Sequence, residues 1–309
     1  MERNRISIFI LILFLISTVT GMWLSVKKSR VQKTKINSLN ITQNKIAVVN
    51  VYGTIRASMR SAGSIRDSSE KVIKRLKKIG EDKSVKAVVL RINSPGGTVA
   101  AVQEIHAEIL KLKKDKKVVV ASFSDVAASG GYYIATAADK ILANPGTLTG
   151  SIGVIMELSN FSSLMKKIGV KIETIKSGVH KDIGSFSREM TPEEKKILQD
   201  LINESYNDFV REVATGRKMD EEKVRLLADG RIFTGRQAVR EGLVDMIGGL
   251  DDAIEEAKKL SGIKGKCKIV TDSEPWERFM EILPASFEES LAFDKVVPET
   301  SIRLEYMME

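Results

Sequence analysis

An α/β fold built on a largely parallel sheet is the architecture this sequence predicts, and three observations predict it. Short apolar runs alternate with helix-length amphipathic stretches from Ile46 onward, the pattern of crossover units that place strands side by side in parallel. The runs are apolar at consecutive positions, as in strands covered on both faces. The stretches between them carry apolar residues three and four apart, the spacing of one helix face.

Ile46-Ala47-Val48-Val49-Asn50-Val51 reads as the first strand. A Gly/Ser-containing loop leads to a helix over Ser69–Ile79, with Val72, Ile73, Leu76 and Ile79 on one side. Val85–Ile92 is a second strand, and Thr98–Leu112 a helix with Val102, Ile105, Ile109 and Leu112 in register. Lys117–Phe123 is a strand, Gly130–Ala138 a small-residue helix, and Lys140–Ala143 a short strand. Thr191-Pro192-Glu193-Glu194 starts a helix that runs to about Thr215. Thr serves as N-cap, Pro sits at the first helical position and Glu closes the capping box. Arg231–Gly235 opens another helix, stopped by Gly242, and Lys268–Thr271 is strand-like. The layout is residues 1–26 as an anchor, 27–45 as a basic polar tether, 46–262 as the main domain and 263–309 as a C-terminal strand and tail.

A hydrophobic content of 43% with 29% charged residues excludes a globally disordered chain. The net charge is +9, but residues 1–45 hold eight Lys or Arg against Glu2 alone. The basicity therefore belongs beside a membrane and offers no nucleic-acid face. Ile6–Val26 is a run of 21 residues without charge. As a helix it spans roughly 30 Å, one hydrocarbon core. A cleaved signal would be shorter and end in a small-x-small site, so the run is read as a retained span in the lipid bilayer. Lys27, Lys28 and Arg30 outnumber Arg3 and Arg5, which by the charge rule places the main domain in the cytoplasm. The single Cys267 excludes an internal disulfide framework.

The residue that carries chemistry is Ser129, in Asp125-Val126-Ala127-Ala128-Ser129-Gly130-Gly131-Tyr132-Tyr133. It stands between a strand and a helix, among residues small enough to admit a substrate backbone. Free N–H groups at the helix mouth face whatever it attacks. Its structural alternative is a helix N-cap. A serine nucleophile needs a base, and the chain has only two histidines, His106 and His180. His106 lies mid-helix without the H-E-x-x-H spacing. One cysteine and two histidines exclude a Cys/His zinc site, and neither Walker nor dinucleotide glycine patterns occur. No metal or organic cofactor is implied. A lysine taken out of water can lose its proton and act as base, and Ser–Lys pairs are a known variant of the serine triad. From the residues alone, Lys176 and Lys181 remain equal candidates.

Four motifs in order carry a resemblance. They are Arg91-Ile92-Asn93-Ser94-Pro95-Gly96-Gly97, the stretch around Ser129, Leu148-Thr149-Gly150-Ser151-Ile152-Gly153-Val154, and Lys176-Ser177-Gly178-Val179-His180-Lys181-Asp182. Over about residues 45–260 the chain resembles signal peptide peptidase A, short form, a membrane-bound serine peptidase family with a Clp-protease/crotonase-like fold. The resemblance implies that Ser129 is the nucleophile, Lys181 the general base and Ser151 the residue that orients the lysine. It implies that the N–H groups of Gly96 and Gly130 form the oxyanion hole. It makes residues 46–262 a Ser–Lys peptidase domain facing away from the cytoplasm, against the charge rule. It further implies hydrophobic or signal-peptide substrates, a homo-oligomeric ring and no nucleic-acid partner. The competing readings are a related membrane peptidase with other protein substrates, a crotonase-fold acyl-CoA enzyme, and a membrane scaffold.

Overall fold

Three apolar runs make the centre of one eight-stranded sheet: β1 (Lys45–Tyr52), β2 (Val85–Ser94) and β4 (Val118–Ala128), parallel and adjacent. The computed structural model describes residues 44–57, 69–271 and 304–308, so the expected span 6–26 lies outside the described residues. Among the described residues no helix is long and apolar enough to cross a membrane.

The consecutive apolar positions divide between two faces. Ala47, Val49 and Val51 of β1, with Val88, Leu90 and Ile92 of β2 and Val119, Ala121 and Phe123 of β4, join one core. Helices α1 (Ser69–Glu81), α2 (Val99–Lys114), α3 (Gly130–Ala135) and α5 (Pro192–Arg217) cover it. The intervening Ile46, Val48, Ala87, Val89 and Val120 pack on the other side against Ala253, Ile254 and Ala257 of α8 (Leu250–Leu260). Burying each such aliphatic side chain contributes about 1.5–3 kcal/mol. Leu90→Ala, at a fully buried site in the central strand, would cost about 3 kcal/mol.

The far edge of β4 is shared. Val120–Phe123 pairs with β5 (Lys140–Ala143), and Val126–Ala128 pairs with β6 (Leu148–Gly150). Between these halves the register with β2 slips, from Ile92↔Phe123 to Ser94↔Ala127. Such a bulge bends a strand and re-aims the residues at its end, and Ser129 is the first residue past the end of β4. Beyond β6 the sheet ends in antiparallel β7 (Ile232–Thr234); β8 (Met246–Ile247) extends β5, and β9 (Lys268–Thr271) adds a parallel edge to β1.

Most expected elements are present. The capping box of α5 forms as its sequence demands, Thr191 Oγ1 accepting from Glu194 N and Glu194 Oε2 from Thr191 N. Thr234 and Gln237 make a second box on α7 (Gly235–Glu241), and Gly242 closes that helix in the left-handed region. Helix α3 is shorter than the expected 130–138. The Thr136 hydroxyl bonds back to the Tyr133 carbonyl, and Asp139 accepts from Val119 N while its own N–H donates to Val119 O. These bonds pull the chain into β5 after about a turn and a half. Between β6 and α5 the chain runs out as an arm carrying only α4 (Ser162–Lys167) as regular helix. Its Ile168, Ile175 and Val179 are exposed at 65%, 99% and 73%.

A second, two-stranded sheet was not foreseen. β3 (Gly96–Thr98) pairs antiparallel with β10 (Glu305–Met307), a strand from the expected tail.

Candidate active site

Ser129 leaves β4 with φ 51° and ψ −117°, a conformation that side chains rarely adopt. Its N–H donates to Gly150 O at 2.8 Å, and its carbonyl accepts from Tyr133 N at 2.8 Å. A serine held in so sparse a backbone region costs about 1–3 kcal/mol. The side chain is fully buried, makes no cap bond and leaves Oγ without a hydrogen-bond partner. The N-cap alternative is thereby removed. Gly131 is as tightly placed as its neighbours, since a Cβ there would stand 2.8 Å from Ser94 O.

Ser151 stands beside this turn. Ala128 and Gly150 are register partners, so Ser129 and Ser151 are the next residues on two adjacent strands. Ser151 also has positive φ (49°), is buried, and is held by its N–H to Arg231 O at 2.8 Å.

The Ser-Pro-Gly-Gly turn is fixed by its own serine: Ser94 Oγ accepts from Gly96 N at 3.1 Å. Gly96 therefore directs its N–H into the turn. The groove is served by the next residue. Val99 N donates to Leu304 O and Met308 N to Pro95 O, so alternation along an antiparallel ladder makes Gly97–Tyr306 the hydrogen-bonded pair between them. Gly97 N–H thus faces the Tyr306 carbonyl. That same oxygen lies 3.1 Å from where a Cβ on Gly130 would be and 1.8 Å from where one on Gly96 would be, so neither position admits a side chain. The resemblance implied Gly96; the N–H that the ladder turns toward the Tyr306 carbonyl is that of Gly97, with Gly130 alongside.

β10 fills this groove as an added strand. Glu305 exchanges two backbone bonds of 3.1 Å with Ile155 on its other side, and its carboxylate pairs with Arg56 at 3.2 Å. Tyr306 is fully buried. Its ring stacks on Tyr133 at 5.1 Å, meets Phe209 at 4.8 Å, and its hydroxyl donates to Ser205 O at 2.8 Å. One tyrosine of the Ser129 helix thus walls a pocket for a side chain in the groove. The other, Tyr132, donates to Leu243 O at 2.8 Å and anchors that helix from behind. The segment after Leu243 is tied down by Asp245, which accepts from Arg217 at 2.8 Å, Lys140 at 3.1 Å and Ile141 N at 2.8 Å.

Lys181 is not in this cluster. It lies on the arm, exposed, in a turn closed by its N–H to Gly178 O. Ser129 Oγ has no partner, so the two atoms do not meet within the single chain. The expectation of a buried lysine fails here because the arm packs so little of its surface against the body. The rival Lys176 is engaged elsewhere, donating to Val179 O and to Asp182. Arg188, then Lys176, hold the Asp182 carboxyl well below the usual carboxylate range. Arg188 likewise brings Glu194 down to about 2. His106 is buried against Thr136 and Tyr133 away from the serine turn, its pKa pushed down to about 4 by burial and then by Lys113. Among the described residues no group of three His, Cys, Asp or Glu side chains converges as a metal site.

Comparison with known proteins decides the family. Residues 111–264 match the model of peptidase family S49, and residues 45–149 match that of Clp protease. The chain is 47% identical over 240 residues to a Synechocystis protein described as a protease, covering 77% of this chain and 83% of that one. The chain belongs to peptidase family S49. As an S49 member it is a serine peptidase, and its mostly parallel α/β sheet accords with a Clp-protease-like fold. An Enterococcus faecium relative named signal peptide peptidase SppA is 44% identical over 71% of this chain and 64% of its own length. Protease 4 of Haemophilus influenzae is 39% identical over 70% of this chain but only 35% of its own length. The chain thus spans most of the Synechocystis protein and about a third of the Haemophilus one.

Three features of the site escaped the sequence reading: the groove strand, the switch from Gly96 to Gly97, and the tyrosine wall. Leu304–Met308 carries a strand-like composition that could have flagged β10, but nothing in the sequence names its pairing partner.

Proposed function

We propose that this S49 peptidase is a membrane-anchored endopeptidase that cleaves hydrophobic peptides, remnant signal peptides among them, through Ser129 and Lys181. The observation that carries the reading is β10. A length of extended peptide sits antiparallel on Gly96–Thr98, with one carbonyl against Gly97 N–H beside Gly130 and Ser129. An added strand is a common way to bind unfolded peptide. In the reaction Ser129 Oγ attacks the scissile carbonyl and passes its proton to the Lys181 amine. The N–H groups of Gly97 and Gly130 hold the oxyanion. Lys181 then returns the proton to the leaving amine, and water hydrolyses the acyl-enzyme. Ser151, next to Ser129 in register, orients the lysine.

The single chain leaves Lys181 away from Ser129, so the dyad closes in an assembly. The open Ile168, Ile175 and Val179 of the arm support a homo-oligomer that covers them and takes Lys181 out of water. The uncharged run 6–26 supports a single bilayer span, with the peptidase domain outside the cytoplasm. The added strand favours a peptide over an acyl-CoA substrate. The test is an assay of the full chain in detergent on hydrophobic fluorogenic peptides and a synthetic signal peptide. Activity should vanish in both Ser129→Ala and Lys181→Met with oligomer size unchanged. Turnover persisting in either variant would reject the dyad.

A further inference from the structure

Arg188 bridges the turn that bears Lys181 to the start of α5, and its side chain has no role in the chemistry described so far. Arg188 Nε donates to Asp182 Oδ2 at 2.9 Å, and Nη2 to Asp182 Oδ1 at 2.7 Å and to the Asp182 carbonyl at 3.2 Å. The opposite edge of the guanidinium grips Glu194, Nη1 to Oε2 at 2.8 Å and Nη2 to Oε1 at 2.6 Å. Nη1 also bonds Glu189 O at 3.0 Å. Asp182 directly follows Lys181. Glu194 is the capping-box residue of α5, and its side chain is 2% exposed.

Each end of this bridge is anchored in turn. Lys176 closes on Asp182 from the other side. The turn is internally bonded, Ile183 N to His180 O and Ser185 N to Asp182 O, both 3.1 Å. The Glu194 end is fixed by Thr191, and α5 itself is a rod. Its Phe209, 15 residues on, packs at 5.0 Å on Tyr133 of the Ser129 helix. Forked pairing on both edges is something a guanidinium can do and an ammonium cannot. A longer contact, His180 Nε2 to Glu193 Oε1 at 3.7 Å, runs between the same turn and the same helix end.

We infer that Arg188 is a positioning residue for the reaction: it clamps the Lys181 turn to the N-terminus of α5 and so presents the lysine at a fixed place and angle. This rests on the Ser–Lys reading above and adds to it the device that aims the base. A base displaced by about an ångström loses on the order of a hundredfold in rate.

The test uses the full chain in detergent with a fluorogenic peptide. Arg188→Ala should lower kcat by about 10- to 100-fold with KM within about twofold, since the peptide groove lies at β3 and β10. Its effect passes through Lys181, so the loss should fall on kcat and spare KM. Arg188→Lys should not restore kcat, whereas guanidinium at tens of millimolar added to Arg188→Ala should restore part of it. Wild-type kcat in a folded Arg188→Ala, or a rise in KM that accounts for the loss, overturns the inference and leaves the dyad standing. Full activity of Lys181→Met itself overturns both. Should Arg188→Ala not fold with Glu194 left unpaired, Asp182→Asn decides instead. It opens the lysine end and spares the α5 cap, and it should show the same kcat loss at unchanged KM; an unaltered kcat refutes the clamp.

Discussion

The sheet body holds Ser129 and the arm of 156–190 holds Lys181, the two residues of the proposed dyad, and they hold them by different physics. Ser129 follows β4, whose Val119, Ala121 and Phe123 are wholly buried. Its place is set by many small packing contacts, two flanking strands and a bulge. Lys181 rides on a segment whose Ile175 is almost bare, in a turn whose Asp182 is paired with Arg188 and Lys176. The Ser129 turn is complete in a single folded chain. In the proposed dyad Lys181 is aimed locally and gains its cover from assembly. Packing can be formed by one chain alone, whereas desolvation of an exposed lysine cannot.

Ser129→Ala breaks this comparison most strongly. Turnover of a hydrophobic peptide should fall by about 10⁴-fold or more. The same change removes a buried hydroxyl that has no partner, so stability in urea should rise by about 1 kcal/mol. A stability loss would mean the hydroxyl is bonded after all. Next in size is the body's internal tie. Asp245→Ala leaves Arg217, 8% exposed, without its carboxylate. Unfolding in urea should come about 3–5 kcal/mol sooner; a change under 1 kcal/mol would show the pair to be dispensable.

A pH effect also belongs to the body. His106 is lowered to about 4 chiefly by burial. Between pH 6.5 and 4 the unfolded chain binds a proton there that the folded chain refuses. This contribution is complete above pH 6.5 and is lost as pH falls toward 4, worth about 3 kcal/mol in all. Glu212, 3.6 Å away and raised by burial, acts with the opposite sign. The difference between wild type and His106→Gln therefore isolates the histidine. The variant should lose roughly 2–3 kcal/mol less than wild type between pH 7 and 4.5, and parallel losses would refute the assignment. The smallest effect on subunit stability is expected on the arm. Ile175→Ser should shift unfolding by under about 0.5 kcal/mol yet lower oligomer mass in light scattering. Intact oligomers would place the assembly contact elsewhere.

Legibility in the sequence divides along the same line. The apolar runs of β1, β2 and β4, the Thr191 cap and the Gly242 stop are local statements, and each formed as written. The tight turn at Ser129 was legible because small residues crowd a strand-to-helix junction. That Gly97 and not Gly96 turns its N–H to Tyr306 was not, since it depends on Ser94 Oγ folding back onto its own turn. The exposure of Lys181 was hidden for a related reason. The spacing between two residues says nothing of how far an arm carries one of them from the other. Nor could Glu305–Met307 announce a partner some 200 residues earlier, because strand pairing is a property of two segments at once.

That last strand has a consequence for anyone timing this enzyme. β10 belongs to the chain whose groove it covers, so its departure is a first-order event, indifferent to how dilute the protein is. A free competitor can be washed away, but this one stays stoichiometric at every concentration. On the proposed function, an incoming peptide meets only the fraction of molecules with this groove open, and its apparent affinity is weakened by that fraction. Half-saturation measured on this chain therefore reports two equilibria multiplied together, and changing Glu305 or Arg56 at the 3.2 Å pair moves the one without touching the other.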